Sequence, residues 1–281
     1  LSTSSSTVTI VTDSTADLPA DVAESLGIFV VPALLIIEEE TYRDGEGMTR
    51  EEFYELLPRL PQNPTTAAPS PQAFAEAYER ALTSGARQVL SIHISAKLSG
   101  MINAASQAAD EFPGQVEVFD SRQVSMGLGF QVMRAARIAR RSGDWSGVTA
   151  AAREAREHAR LVAMIDTLEY LRRSGRVSWI QAGVGGLLKV KLMVEIKDGS
   201  VENIGRVRTR SKALQGLKEY AQSIAPLSHL AVLHTAAGEQ ARAFADELVE
   251  FSASPPIVAE ATTVIGTHVG PNAIGIAALK A

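Results

Sequence analysis

Val8-Thr9-Ile10-Val11-Thr12, followed by Asp13-Ser14-Thr15-Ala16-Asp17-Leu18-Pro19, is the stretch that decides how this chain is read. Five successive β-branched residues favour a buried strand. The acid and hydroxyls that stop it mark a strand-to-helix turn. Asp17 is a candidate N-cap for the helix, Pro19 sits near its first turn and Gly27 is its stop. An acceptor and hydroxyls on such a turn can cap the helix or hold a polar ligand. The residues alone leave both readings open.

The same alternation recurs outward from this unit. Residues 28–37 read as the next strand, and Glu38-Glu39-Glu40 as its solvated end. Thr49-Arg50-Glu51-Glu52 is a capping box opening a helix to about Leu57, and Ser70-Pro71 opens another that ends at Gly85. Strands are expected at 88–94 and 115–119, and helices at 100–111, 123–141 and 146–158. Strand–helix alternation predicts a parallel sheet with helices on both faces, its ligands lying outside the carboxyl ends of the strands. Asp13-Ser14-Thr15, residues 95–100 and Asp120-Ser121 all follow strands and could converge at one such edge.

Beyond residue 160 the pattern changes. A strand at 161–165 and a helix through Leu171 precede two runs, 190–196 and 201–207, that flank Lys197-Asp198-Gly199-Ser200. Asp-Gly between alternating runs signals a hairpin. Helices at 211–225 and 239–251 and strands at 230–233 and 257–261 follow, with an apolar close at 273–279. The expected fold class is α/β in two domains. Residues 1–160 form a parallel-sheet α/β/α unit, and residues 161–281 an α+β unit with a mixed sheet.

Composition narrows the function. The net charge of −5 gives no reason to bind nucleic acid or an anionic membrane. The absence of cysteine removes disulfides, thiolate metal sites and cysteine nucleophiles, and fits a reducing compartment. The apolar stretch 28–37, interrupted by Pro32, is far shorter than the roughly 20 residues that span a bilayer. Residues 1–7 have no charged start or apolar core and read as a disordered tail rather than a signal peptide. No Walker A loop, G-x-S-x-G or H-E-x-x-H is present, and the five histidines lack ligand spacing, so neither cofactor nor metal is expected. Gly127-Leu128-Gly129 lacks the third glycine of a dinucleotide loop.

Four further segments carry chemistry. Pro64-Thr65-Thr66-Ala67-Ala68-Pro69-Ser70 and Ile94-Ser95-Ala96-Lys97-Leu98-Ser99-Gly100 are hydroxyl-bearing loops. Hydroxyls and amides can hold a carboxylate by hydrogen bonds alone, or simply form turns and caps. Gly266-Thr267-His268-Val269-Gly270-Pro271 reads as a glycine-rich turn whose histidine could donate to an anion. Gly205-Arg206-Val207-Arg208-Thr209-Arg210-Ser211-Lys212 alternates charge, as a phosphate or acidic-partner contact or a solvated strand edge would.

Together these segments resemble the DegV family over about residues 8–279. The resemblance is carried by 12–19, Leu98-Ser99-Gly100, Phe119-Asp120-Ser121, 168–176, 186–191, Val207-Arg208-Thr209 and His268-Val269-Gly270-Pro271. It implies two α/β domains with a long-chain fatty acid buried between or beneath them, in a cytoplasmic carrier that catalyses nothing alone. Members known as FakB present the acyl carboxylate to a separate ATP-dependent fatty acid kinase, FakA, which makes acyl phosphate. The family's carboxylate-binding threonine and serine match Thr66 and Ser99, with Ser95 and His268 as second-line candidates. Arg208, beside Arg206, matches an arginine expected to face the phosphate or the kinase. Transient membrane contact is the remaining partner expectation. Ala67, Ala68, Met101, Leu192 and Asn272 depart from the family's usual Ser, Gln, Thr, Pro and Gly. The competing reading is a stand-alone hydrolase or phosphotransferase using Asp13, Asp120 and His268, which requires those groups within hydrogen-bond reach.

Overall fold

The computed structural model describes residues 7–176 and 190–281. The opening strand is β1 (Val8–Asp13). Asp13 caps not an α-helix but the single 3-10 turn Ser14–Ala16, taking the Thr15 amide. Helix α1 (Ala20–Leu26) begins only after Pro19, without a side-chain cap, and stops at Gly27. Asp17 is therefore not its N-cap. It takes a left-handed backbone, φ 51°, that turns its carboxylate into the protein, where it meets the Thr262 amide.

Residues 28–37 are not one strand. Pro32 has no amide hydrogen to continue a ladder, and the chain changes sheet there. β2 (Phe29–Val31) pairs parallel to β1. β3 (Leu34–Ile37) instead joins β4 (Glu40–Arg43) and β5 (Thr65–Ala67) in a three-stranded antiparallel sheet. Glu38-Glu39-Glu40 is exposed at the hairpin between β3 and β4, as a solvated strand end should be.

The expected caps are present. Thr49 and Glu52 close a capping box on α2 (Arg50–Leu56), and Ser70 caps α3 (Pro71–Thr83). β6 (Gln88–His93), α4 (Met101–Ala109) and β7 (Val116–Asp120) complete a four-stranded parallel sheet of order β2-β1-β6-β7. Its three polar loops do converge. The Ile94 amide donates to Asp13 Oδ2 at 3.1 Å, Ser121 N to His93 O at 3.1 Å and Ser95 N to Gln123 O at 2.9 Å.

Two antiparallel helices follow, α5 (Met126–Ser142) and α6 (Trp145–His158). Gly129 permits close packing rather than phosphate binding, since a Cβ there would lie 2.8 Å from Ala16 O. The rest of the chain builds a six-stranded sheet from β8 (Ala159–Ile165), β9 (Lys191–Lys197), β10 (Ser200–Val207), β11 (Leu227–His234), β12 (Ile257–Glu260) and β13 (Ile274–Lys280). Its order is β10-β9-β8-β13-β11-β12, antiparallel except for the β11–β12 pair. The Asp198-Gly199 turn has positive φ at both residues, the requirement of a two-residue hairpin. The connecting helices are α7 (Glu169–Arg173), α8 (Arg210–Ile224), α9 (Gly238–Asp246) and α10 (Thr263–Val269). The last corrects the reading of 266–271 as a turn: Thr262 caps a helix that continues through His268 and ends at Gly270. Of the motif at 186–191, residues 186–189 lie outside the described residues.

Strand alternation gives the six-stranded sheet two apolar faces. Val162, Met164, Val232 and Ile276 pack with α8 and α9, while Leu161, Ile165, Val194 and Leu233 join the core that contains β1, β6 and α5. α5 packs against β1 and also against β8 and β13, so it links the two large sheets.

Candidate functional site

A cavity opens on this second face. Its volume is about 210 Å³, and residues of both halves of the chain line it. Leu161, Ala163 and Ile165 of β8 and Val194 and Ile196 of β9 supply one wall. Gly275 of β13 lines it beside Ala163, and a Cβ at Gly275 would fall 2.8 Å from the Ala163 Cβ. The Ala163–Gly275 pair therefore leaves width where a larger residue would fill it. α10 forms another wall through Val264, Ile265 and His268.

Polar groups on the walls are few. Thr66 comes from β5 and His268 from α10, 202 positions apart, with Oγ1 and Nε2 at 2.9 Å. Asn63 Nδ2 donates to Thr267 O at 3.3 Å beside them, tying the strand's approach to the helix. Ser99 also lines the cavity, its Oγ taking the Met101 amide at 3.3 Å at the start of α4. Arg176 lines it too. Burial first, and the Arg176 charge second, push the His268 pKa down to about 4, so the ring is neutral at neutral pH.

The other expected site residues lie elsewhere. Ser95 is buried but not on the cavity wall. Its hydroxyl donates to Gly199 O at 2.8 Å and pins the β9–β10 hairpin to the edge of the parallel sheet. Arg206 and Arg208 are exposed, at the end of β10 and just beyond it, and neither lines the cavity. Asp13, Asp120 and His268 are not assembled into one centre. Asp13 Oδ2 lies 2.9 Å from His93 Nδ1, and Asp120 Oδ1 takes the Arg122 amide at 2.8 Å.

Arg176, His234 and Ser125 on the walls had no assigned role in the sequence, whereas Thr15 belongs to the strand-end turn read there as a cap or a polar-ligand contact. His234 ends β11, and burial pushes its pKa down to about 4, with Arg242 and Arg50 adding to the shift. The strand-end rule that singled out Asp13 and Ser95 also applies to Leu233-His234-Thr235. Arg176 ends the segment 168–176, and only folding shows which arginine of that segment reaches the cavity.

The chain's ancestry matches this architecture. Residues 7–281 match the family model described as an uncharacterised protein of the DegV family. The chain belongs to the DegV family. It is 39% identical to a DegV domain-containing protein of Streptomyces coelicolor, covering 96% of this chain and 97% of that one. A Deinococcus radiodurans DegV domain-containing protein is 36% identical over the same shares. Among solved structures, a fatty-acid-binding DegV family protein from Thermus thermophilus superposes with a TM-score of 0.89 at 35% identity, covering 98% of this chain and 99% of that one. DegV of Bacillus subtilis, a fatty acid binding protein, gives 0.86 at 31% identity, covering 98% and 100%.

Ala67, Ala68 and Met101, read in the sequence as departures, all lie on the cavity wall and add to its apolar surface. Asn272 has φ 64°, a left-handed backbone that glycine adopts freely and asparagine tolerates. Leu192 pairs in the interior strand β9, where it supplies the amide that proline would lack. Among the described residues no helix is long and apolar enough to cross a membrane.

Proposed function

We propose that this DegV protein is a non-catalytic carrier that holds one long-chain fatty acid in the cavity and presents its carboxylate to a FakA-like fatty acid kinase in the cytoplasm. The observation that carries the reading is an apolar cavity with a bonded Thr66–His268 pair, Ser99 and Arg176 on its wall. Each methylene buried there contributes about 0.8 kcal/mol, so the chain supplies affinity and the polar groups supply orientation. A neutral His268 protonated on Nε2 donates to Thr66 Oγ1, which frees the threonine hydroxyl to donate to a carboxylate oxygen. Ser99 donates to the same head group, and Arg176 adds a favourable field. Arg208 and Arg206, both exposed, are the surface offered to the phosphate or the kinase. The two units, 1–160 and 161–281, then meet at the cavity, one contributing Thr66 and Ser99 and the other His268 and Arg176. The fatty-acid-binding relatives from Thermus thermophilus and Bacillus subtilis support the ligand class.

Mass spectrometry of lipid extracted from the purified, denatured protein tests this. One fatty acid per chain is the expected result. No lipid, before and after incubation with oleate and palmitate, overturns the reading and turns attention to turnover of acyl or phosphoryl substrates without a partner.

A further inference from the structure

The helix that carries His268 is gripped at its start by side chains from the first 54 residues of the chain. The Thr262 amide donates to Asp17 Oδ1 at 2.8 Å. The Thr263 amide and hydroxyl donate to Asp44 Oδ1 at 3.2 and 2.7 Å. Tyr54 donates to Ala261 O at 2.9 Å and to Thr262 O at 3.3 Å, and the Arg50 guanidinium donates to Glu260 O. Asp17, Asp44 and Tyr54 are buried. Gly266 makes the approach feasible, since a Cβ there would lie 2.5 Å from the Tyr54 ring. None of these four side chains lines the cavity.

A seven-residue helix cannot hold its own position in water. Its axial placement and rotation are set by whatever fixes its ends, and here the start is fixed by acceptors on its first amides. The far end of the same helix places His268 against Thr66. We infer that Asp44, with Asp17 beside it, is a positioning residue for head-group recognition: it holds α10 in the register that brings His268 Nε2 to the Thr66 hydroxyl. The inference rests on the proposed carboxylate site and concerns residues that touch no ligand.

A merely structural role would weaken binding of any chain of the right length. A positioning role weakens only what the head group contributes. The experiment therefore compares myristate with tetradecanol, the same chain without a carboxylate, by displacement of anilinonaphthalene sulfonate. Wild type prefers myristate. Asp44→Ala lowers that preference about tenfold, the equivalent of one lost charge-assisted hydrogen bond, and leaves tetradecanol affinity unchanged. Asp44→Asn, which keeps an acceptor, restores most of the preference. Tyr78→Phe, in the core away from the cavity, leaves the preference as in wild type.

An unchanged preference in Asp44→Ala, or equal loss for both ligands, overturns the positioning role while the carboxylate site stands. If wild type itself has no preference for myristate, the carboxylate site falls and this inference with it. If Asp44→Ala does not fold, Thr263→Val removes the 2.7 Å bond from the helix side. A smaller loss of preference then supports the role, and no loss overturns it.

Discussion

Two histidine–hydroxyl pairs in this protein are alike in geometry and unlike in access. His93 Nε2 lies 2.6 Å from Ser91 Oγ, and His268 Nε2 lies 2.9 Å from Thr66 Oγ1. The first has the outward form of a nucleophile triad, because Asp13 Oδ2 lies 2.9 Å from His93 Nδ1. Yet Asp13, Ser91 and His93 are fully buried, and Tyr78 donates to Ser91 at 3.0 Å in the same core. The second pair stands on a cavity wall. Residue type and distance do not separate a structural network from a site here. An opening does.

Breaking the sealed pair should produce the largest effect. Asp13 also accepts the Thr15 and Ile94 amides and the Thr15 hydroxyl, so it fixes the ends of β1 and β6 together. Asp13→Ala leaves those donors buried without their acceptor and should cost about 3–5 kcal/mol in urea unfolding. A cost below about 1 kcal/mol, the scale of a surface substitution, would show that the network is not what holds the strand ends together.

The buried acid near the cavity sharpens the contrast. Asp17 has one amide and the Ser125 hydroxyl as donors, and burial pushes its pKa from 3.8 up to about 7, outweighing the lowering influence of Arg50. The folded pKa is raised, so this contribution to stability is complete below about 3.8 and is lost as pH rises through about 7. His234 and His268, both lowered to about 4, act in the opposite sense: their contribution is lost as pH falls from 6.5 towards 4. The stability of wild type minus that of Asp17→Asn isolates the acid. The difference should fall by on the order of 2–4 kcal/mol between pH 4 and pH 8. A flat difference would mean that Asp17 titrates like an exposed carboxylate.

On the cavity wall the expected cost moves from folding to binding. Thr66→Ala and His268→Ala should each weaken fatty acid binding about tenfold. The double variant should be little worse than either, because the two act through one bond. Additive losses in the cycle would show that they contact the carboxylate independently. Ser95→Ala, by contrast, should leave affinity near that of wild type and cost about 1 kcal/mol of stability.

Much of this was legible before folding. Local rules placed the parallel strands, the caps at Thr49 and Ser70, and the Asp198-Gly199 hairpin, because each is decided by neighbours in sequence. Thr66, Ser99 and His268 were legible through family resemblance, and folding brings all three to one cavity. Asp17 was misread because its acceptor role is filled by Thr262, a partner 245 positions away. The split of 28–37 at Pro32 was visible as a residue, but its destination, a third sheet, depends on pairing with β5. α10 was hidden because Gly266 and Gly270 look like turn residues. Their missing side chains instead make room for Tyr54 and Tyr170. Ser95 and Ser99 lie four apart in one loop, and no local rule says which faces a cavity.

The smallest expected effect separates two ways of holding the anion. If His268 serves as a neutral donor behind Thr66, its protonation is not part of binding, and fatty acid affinity should be flat from pH 8 down to pH 6. A bound carboxylate would draw the histidine pKa upward, while burial and Arg176 hold it low in the empty site. If the carboxylate wins, protons are taken up on binding, and affinity must rise as pH falls through the new pKa. Titration calorimetry in two buffers of different ionisation enthalpy reads that uptake directly. No protons taken up at pH 7 keeps His268 a neutral donor behind Thr66 in the complex. Uptake approaching one proton would make the cavity histidine an imidazolium in the complex, paired directly with the carboxylate rather than acting through Thr66.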